Sequence, residues 1–285
     1  MSLVGALLLG FTVACVPVPD EDTAVPYTGC NGSEVLCGRA LDEVAFLRTH
    51  NSHATEERDY HPVAMNHYFA IPTQLADGAR AINVDVYEVE GELLACHSYC
   101  ELGSQPFVQI LDEIATFLDA RGREVILLNM QDEAPLGEVR AAIEGHALAS
   151  WAHTQIPGQA WPTLEALVDA DTRLVVLADP DEGAPAWYHD ESALVYATTW
   201  YYTDPGELDC VTTTDPFPHG LYEVTHVLTA PIALPELAEQ INAQPFIGER
   251  LARCQQELGH IVNIVNVDYY SIGDTVGAVA DLNAP

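Results

Sequence analysis

The chain has 285 residues, 48% of them apolar, enough to bury one large core. Its formal charge is −33, and all ten of its basic residues are arginine. A field of that sign repels nucleic acid and anionic bilayers, so nucleic-acid recognition is not expected; an anionic substrate must meet a local positive centre, whether arginine, protonated histidine or bound cation.

Residues 2–14 are uncharged and apolar, too short to span a bilayer, and read as the core of an export signal. Small residues before Cys15 suggest a bacterial lipoprotein signal, with Cys15 the lipid-modified first residue of the mature protein. No Lys or Arg precedes the run, and Thr12 stands where such signals usually carry Leu, so a plain secretory signal is the alternative. The chain is expected to be exported, as an outer-membrane lipoprotein or a secreted protein. Residues 16–40 read as a Pro- and Asp-rich tether with a disulfide loop, and 41–285 as one domain. Six cysteines remain, an even number that implies disulfides in an exported protein. Of fifteen possible pairings, adjacency favours Cys30–Cys37 and Cys96–Cys100, which leaves Cys210–Cys254.

Eight short, mostly continuous apolar runs follow as strands: 44–48, 80–87, 92–97, 124–131, 173–179, 194–200, 222–229 and 261–270. Helical periodicity lies between them, with apolar residues at 107, 110, 111, 114, 117 and 118 and further helices over 137–151, 163–170 and 234–258, the last broken at Pro245. Continuous apolar strands alternating with helices imply a parallel sheet covered on both faces. Eight strands in about 250 residues fit an α/β fold, a single distorted (β/α)8 barrel, whose chemistry sits at the carboxyl ends of the strands. A doubly wound open sheet is the alternative, without a glycine-rich turn to support it. Only residues 88–91 separate the second and third runs, so the barrel is irregular there or the two form a hairpin.

Polar residues that close the strands then face one mouth. His50 and His97 each end an apolar run, and the run between them carries Asp85. Two imidazoles flanking one bond suit general acid–base chemistry near neutral pH. Asn51, Asn83, Asp85 and Gln131 are oxygen donors of the kind a hard cation takes. Arg48, Tyr87, Glu133, His226 and Asp268 are pocket candidates; Trp200 walls a headgroup or belongs to the core, and Asp179 reads as a helix or loop cap. His53, His61 and His67 read as solvated side chains at the mouth rather than half of a zinc site. No G-x-S-x-G, P-loop or H-E-x-x-H occurs.

Thr49-His50-Asn51-Ser52, residues 71–80, Val84-Asp85-Val86-Tyr87, Cys96-His97-Ser98-Tyr99-Cys100 and Asn266-Val267-Asp268-Tyr269-Tyr270, in that order, resemble the catalytic half of phosphatidylinositol-specific phospholipase C. The resemblance spans residues 41–283 and implies a distorted barrel, a phospholipid or other phosphodiester substrate, and cleavage by two histidines. His50 is then the general base and His97 the general acid, and a Ca²⁺ on Asn51 and Asp85, with Asn83 and Gln131 as further ligands, is possible on the same ground. Metal-dependent relatives place an acid where this chain has Asn83; metal-independent bacterial relatives place an arginine where it has Tyr87. A barrel acting on glycerophosphodiesters or sphingolipids, or one that binds a lipid headgroup or glycan without turnover, is the alternative expectation. Membrane association is then expected through a lipid on Cys15.

Overall fold

In several strands polar residues stand two apart, at Asn83 and Asp85, Asn129 and Gln131, and Glu223 and Thr225, and so share one side of the sheet. A computed structural model describes residues 28–285 except Leu136, Asp181 and Ala230; the export signal, Cys15 and most of the tether lie outside them. The strands are β1 (Phe46–Thr49), β2 (Ala81–Val89), β3 (Glu92–Ala95), β4 (Gln105–Pro106), β5 (Ile126–Asp132), β6 (Leu174–Ala178), β7 (Tyr188–Asp190), β8 (Val195–Ala197), β9 (Leu221–His226) and β10 (Ile264–Val267). Eight of them form a curled parallel sheet in the order β7-β6-β5-β2-β1-β10-β9-β8. Among the described residues no ladder joins β7 to β8, so the barrel is open there and a one-turn helix, α6 (Glu191–Leu194), bridges the gap.

Along β1, β5, β6 and β10 the side chains alternate between two compartments. Phe46, Leu127, Val175, Leu177, Leu221 and Ile264 pack together in the lower interior of the barrel. Leu47, Val224, Val265 and Val267 pack outward. They meet α8 (Phe246–Leu258) and α9 (Thr275–Leu282). Ile82, Val84, Leu128, Met130 and Val176 pack outward on the other flank against α2 (Ile71–Asp77), α3 (Phe107–Ala120) and α4 (Glu138–Glu144). Each strand therefore buries both faces, as the continuous apolar runs predict.

Three expectations need correction. The run at 92–97 is not a barrel strand: β3 pairs antiparallel with β2, with Val86 opposite Ala95. Its two-residue turn places both Glu90 and Gly91 in the left-handed region, the backbone that closes a tight hairpin. The eighth barrel strand is instead β7, three residues with too little apolar run to announce itself. The helix expected over 137–151 splits at Gly145 into α4 and a 3₁₀ turn over Ala147–Trp151. The disulfide loop over residues 30–40 packs on the fold: Cys30, Leu36 and Cys37 join the lower barrel core, with α1 (Glu34–Cys37) set near α5 (Leu164–Asp169). Pro245 does divide the last long helical stretch, into α7 (Pro235–Ile241) and α8. The disulfides pair as adjacency favours, Cys30–Cys37, Cys96–Cys100 and Cys210–Cys254.

Candidate active site

The parity that sends Phe46 and Ile264 into the lower core sends Arg48 and Asn266, then His50 and Asp268, to successively higher levels on the same side of the sheet. β1 and β10 are in register, with Arg48 opposite Asn266. The upper interior is accordingly polar. Arg48 is 7% exposed and ion-paired to Glu223 and Glu191, and it donates to Asn129. Burial disfavours its charge, but the two carboxylates outweigh that and hold the guanidinium protonated.

Above this layer, His50 Nδ1 lies 2.9 Å from Asp268 Oδ1. An ionised carboxylate only accepts, so Nδ1 carries the proton and Nε2 is the nitrogen left to take another. Asn66 Nδ2 also donates to Asp268 Oδ1, at 2.7 Å, so that His50 and Asn66 share one carboxylate oxygen. His67 Nε2 donates to the His50 carbonyl at 2.7 Å. Burial opposes protonation of His50, yet the Asp268 charge and hydrogen bond, with Asp85 beyond, carry its pKa above the ordinary histidine value. Burial likewise opposes the Asp268 charge, and His50 and Asn66 bring its pKa below the usual carboxylate range.

His97 reaches the same rim from the opposite direction, on the return of the β2–β3 hairpin. The Cys96 amide donates to the Asp85 carbonyl, and the Cys96–Cys100 bridge closes the loop that carries the imidazole. His97 Nδ1 donates to the Ala64 carbonyl at 3.1 Å, which again leaves Nε2 free of protein partners among the described residues. Burial lowers its pKa, the hydrogen bond to Ala64 opposes that, and the charge of His50 lowers it further. The residues that follow His50, His97 and Asp268 — Asn51, Ser98 and Tyr269 — all have positive φ, at 48°, 65° and 44°. At each site the chain turns sharply just past the functional side chain, a strain that clusters at working sites.

The four residues expected to hold Ca²⁺ are otherwise engaged. Asn83 Oδ1 accepts the Asn51 amide at 2.9 Å and its Nδ2 donates to Asn129 at 2.7 Å. The Asn51 side-chain amide faces Asp85, and in the orientation that satisfies both groups its nitrogen lies 3.1 Å from each carboxylate oxygen. Gln131, opposite Asp85 across the β2–β5 ladder, is exposed and donates to Glu133. Of the set only Asp85 bears charge, and burial raises its pKa to about 6. A hard cation needs six to eight oxygens, several of them anionic. This donor set does not fit Ca²⁺. Asn83 instead latches the end of β1 to β2.

The remaining candidates divide. Arg48, Glu133, Asp179, Trp200 and Glu223 line a cavity of about 610 Å³ that opens beside His50. Tyr87 stands apart from it beside Ser98 of the His97 loop. His226 is not in the pocket. It is fully buried behind β9, donating from Nε2 to the Ile241 carbonyl at 3.0 Å and accepting from Arg250 at 3.0 Å. Burial and Arg250 depress its pKa to about 3. His53 and His67, read as solvated, are buried as well, with pKa values lowered by burial to about 3 and about 4; His61 is exposed. Asn66, Asn129, Glu223 and Asn266 were not anticipated from the sequence. The signal for the last three is a polar residue in mid-strand between buried apolar neighbours.

Three comparisons place this geometry. The family model described as "PI-PLC X 1" matches residues 36–283. An uncharacterized secreted protein of Arthroderma benhamiae is 26% identical over 281 residues, covering 90% of this chain and 63% of its own length. A PI-PLC X domain-containing protein of Arabidopsis thaliana is 24% identical over 195 residues, covering 61% of this chain and 44% of its own length. The chain thus spans less than two thirds of either relative. Among solved structures, an F249X mutant of the phosphatidylinositol-specific phospholipase C of Staphylococcus aureus superposes with a TM-score of 0.60 at 16% identity, over 87% of this chain and 95% of that one. The enzyme of the same name from Listeria monocytogenes gives 0.60 at 13% identity, over 88% and 98%. At these identities the structures speak for the fold, a distorted barrel, while the family model spans nearly every described residue. The chain belongs to the PI-PLC X family.

Proposed function

We propose that this protein is an exported phosphodiesterase that cleaves a phospholipid or related diester with His50 as general base and His97 as general acid. The observation that carries the reading is the complementary tethering of the two imidazoles. Each is held through Nδ1, one on a carboxylate and one on a backbone carbonyl, and each keeps Nε2 for the substrate. His50 Nε2 takes the proton of a headgroup hydroxyl, whose oxygen attacks phosphorus. The bond from phosphorus to the glycerol oxygen breaks, and His97 Nε2–H protonates that oxygen as it leaves. The products are a cyclic phosphodiester and a diacylglycerol. Asp268 holds the His50 tautomer and stabilises the imidazolium that forms, while Asn66 keeps the carboxylate in place. The secreted relative supports export.

The test is hydrolysis of phosphatidylinositol in mixed micelles by the purified protein, His50→Ala and His97→Ala, with and without EDTA. Each substitution should lower turnover by about 10²–10⁴-fold, the usual worth of a positioned acid or base. Turnover should persist in EDTA, because Asn83 and Gln131 are not placed as ligands. Cleavage that survives both substitutions would refute the two-histidine reading.

A further inference from the structure

We propose that His67 is a positioning residue of the active site: with its two ring nitrogens it fixes the backbone beside His50 and beside Asp268, and so keeps those two side chains at hydrogen-bond distance. This rests on the two-histidine reading above and deepens it, naming what holds the base against its carboxylate.

His67 is fully buried, and both of its nitrogens bond main chain. A carbonyl only accepts, so Nε2 carries the proton and donates to the His50 carbonyl at 2.7 Å. Nδ1 is then the acceptor of the Tyr270 amide, at 3.4 Å. These two groups belong to the peptide units adjoining Asn51 and Tyr269, the positive-φ residues that directly follow His50 and Asp268. A bulky residue such as Tyr269 disfavours that backbone, which persists only where its surroundings over-determine it. One imidazole constrains both turns at once, past Thr49 and Val267, the last paired residues of β1 and β10.

The ring is itself held from outside the site. The His67 amide donates to the Ala54 carbonyl at 3.1 Å, and its carbonyl accepts the Glu56 amide at 3.0 Å. The ring packs beside Tyr269 and Tyr270, with centroids 6.4 and 5.8 Å away. Next to it, the Asn66 carbonyl accepts the Tyr269 amide at 2.8 Å while the side chain donates to Asp268. Three residues before His67, the Ala64 carbonyl holds His97 Nδ1. A single short stretch, residues 64–67, thus reaches His50, Asp268 and His97 and sets the spacing of the two imidazoles. Burial brings the His67 pKa down to about 4, so the ring is neutral at pH 7 and acts by geometry, not by charge.

Imidazole nitrogen NMR spectra of the intact protein at pH 9, where His50 is neutral, test this without substrate. His67 should be a pure Nε2–H tautomer and His50 a pure Nδ1–H tautomer. Two variants then separate hydrogen bonding from packing. His67→Phe keeps an aromatic ring between the tyrosines and offers neither hydrogen bond; His67→Gln offers an amide donor and a carbonyl acceptor. In His67→Phe, His50 should become a mixture of tautomers, because its bond to Asp268 loosens. Its kcat on phosphatidylinositol should fall about 10²-fold, the cost of a misplacement near 1 Å, with KM within about twofold. His67→Gln should restore the single tautomer and most of kcat. An Nδ1–H tautomer at His67, or an unchanged His50 spectrum in a folded His67→Phe, would overturn the assignment. Should His67→Phe fail to fold, the His67 tautomer of the intact protein decides: Nε2–H supports the clamp and Nδ1–H removes it. The two claims fail separately. A His50 tautomer change in His67→Phe, with no hydrolysis by any form, keeps the clamp and removes the enzymatic reading; hydrolysis with the His50 spectrum unmoved does the reverse.

Discussion

His50 and His97 have the same side chain and opposite electrostatic settings. A carboxylate partner raises the pKa of His50 above its ordinary 6.5, whereas burial lowers that of His97 below it. On the proposed mechanism the productive state needs His50 neutral and His97 protonated, so it is a minor form of the free protein. The profile of kcat/KM against pH should still be a bell. Its acid inflection lies below 6.5, where His97 gains its proton, and its alkaline inflection above 6.5, where His50 loses one; both belong to the coupled pair. Asp268→Asn should move the alkaline inflection to lower pH and cut kcat by about 10²–10⁴-fold, since an amide neither holds the tautomer nor stabilises the imidazolium. A profile unmoved by that substitution would show that Asp268 does not act through His50. The chemistry of His50, His97 and Asp268 was legible because each closes an apolar run. Asn66 was not, because it sits in a loop 202 residues from the carboxylate it steadies. His226 misled because a strand-end histidine in sequence does not reveal which face it occupies.

At the scale of elements, the hairpin and its disulfide decide where His97 stands. Cys96–Cys100 has a sequence separation of 4 and Cys210–Cys254 one of 44. Chain entropy alone gives the short loop about 2 kcal/mol and the long one about 4 kcal/mol. Removing Cys210–Cys254 as paired serines should therefore lower the denaturation midpoint more, and removing Cys96–Cys100 should lower kcat more, because that bridge encloses His97. The opposite ranking, read from urea titrations and initial rates, would detach the loop from catalysis. Gly103 is a second element-level constraint. It has φ of +144°, and a Cβ there would come within 2.5 Å of the Tyr60 ring, whose hydroxyl donates to the Ala95 carbonyl just before the His97 loop. Gly103→Ala should cost about 1–3 kcal/mol of stability, measured by urea denaturation. The parallel strands and the break at Pro245 were legible from apolar runs and periodicity. The four-residue gap before residues 92–97 left a hairpin or an irregular barrel open, and the turn at Glu90 and Gly91 makes it the hairpin.

Across the whole molecule, charge and buried histidines pull stability in a predictable direction. His53, His67 and His226 are buried with pKa values near 3, 4 and 3. The unfolded chain binds protons at these sites near pH 6.5 and the folded one does not. Stability they contribute is thus complete above 6.5 and falls as pH drops toward 4, by up to about 1.4 kcal/mol per pH unit for each group. Protonation of carboxylates in the folded state begins near pH 6 at Asp85 and reaches those with ordinary values only near pH 4–5. The urea midpoint should accordingly be lower at pH 5.5 than at 7.5, and 0.5 M salt should raise it at 7.5 by screening the charge of −33. A higher midpoint at pH 5.5 would mean that self-repulsion outweighs the histidines. The barrel as a whole was legible because both faces of its strands are buried. Its opening between β7 and β8 was not, because those strands are three residues each and leave no periodic trace.

The division of labour between the two imidazoles is the central claim, and a change of leaving group tests it most directly. The comparison is between inositol phosphodiesters of glycerol and of nitrophenol, with the protein, His50→Ala and His97→Ala. Nitrophenolate leaves without a proton, so His97→Ala should lose about 10²–10⁴-fold on the glyceryl diester and less than about tenfold on the nitrophenyl diester, while His50→Ala loses heavily on both. Equal losses for His97→Ala on the two substrates, or rescue of His50→Ala by nitrophenol, would contradict the assignment.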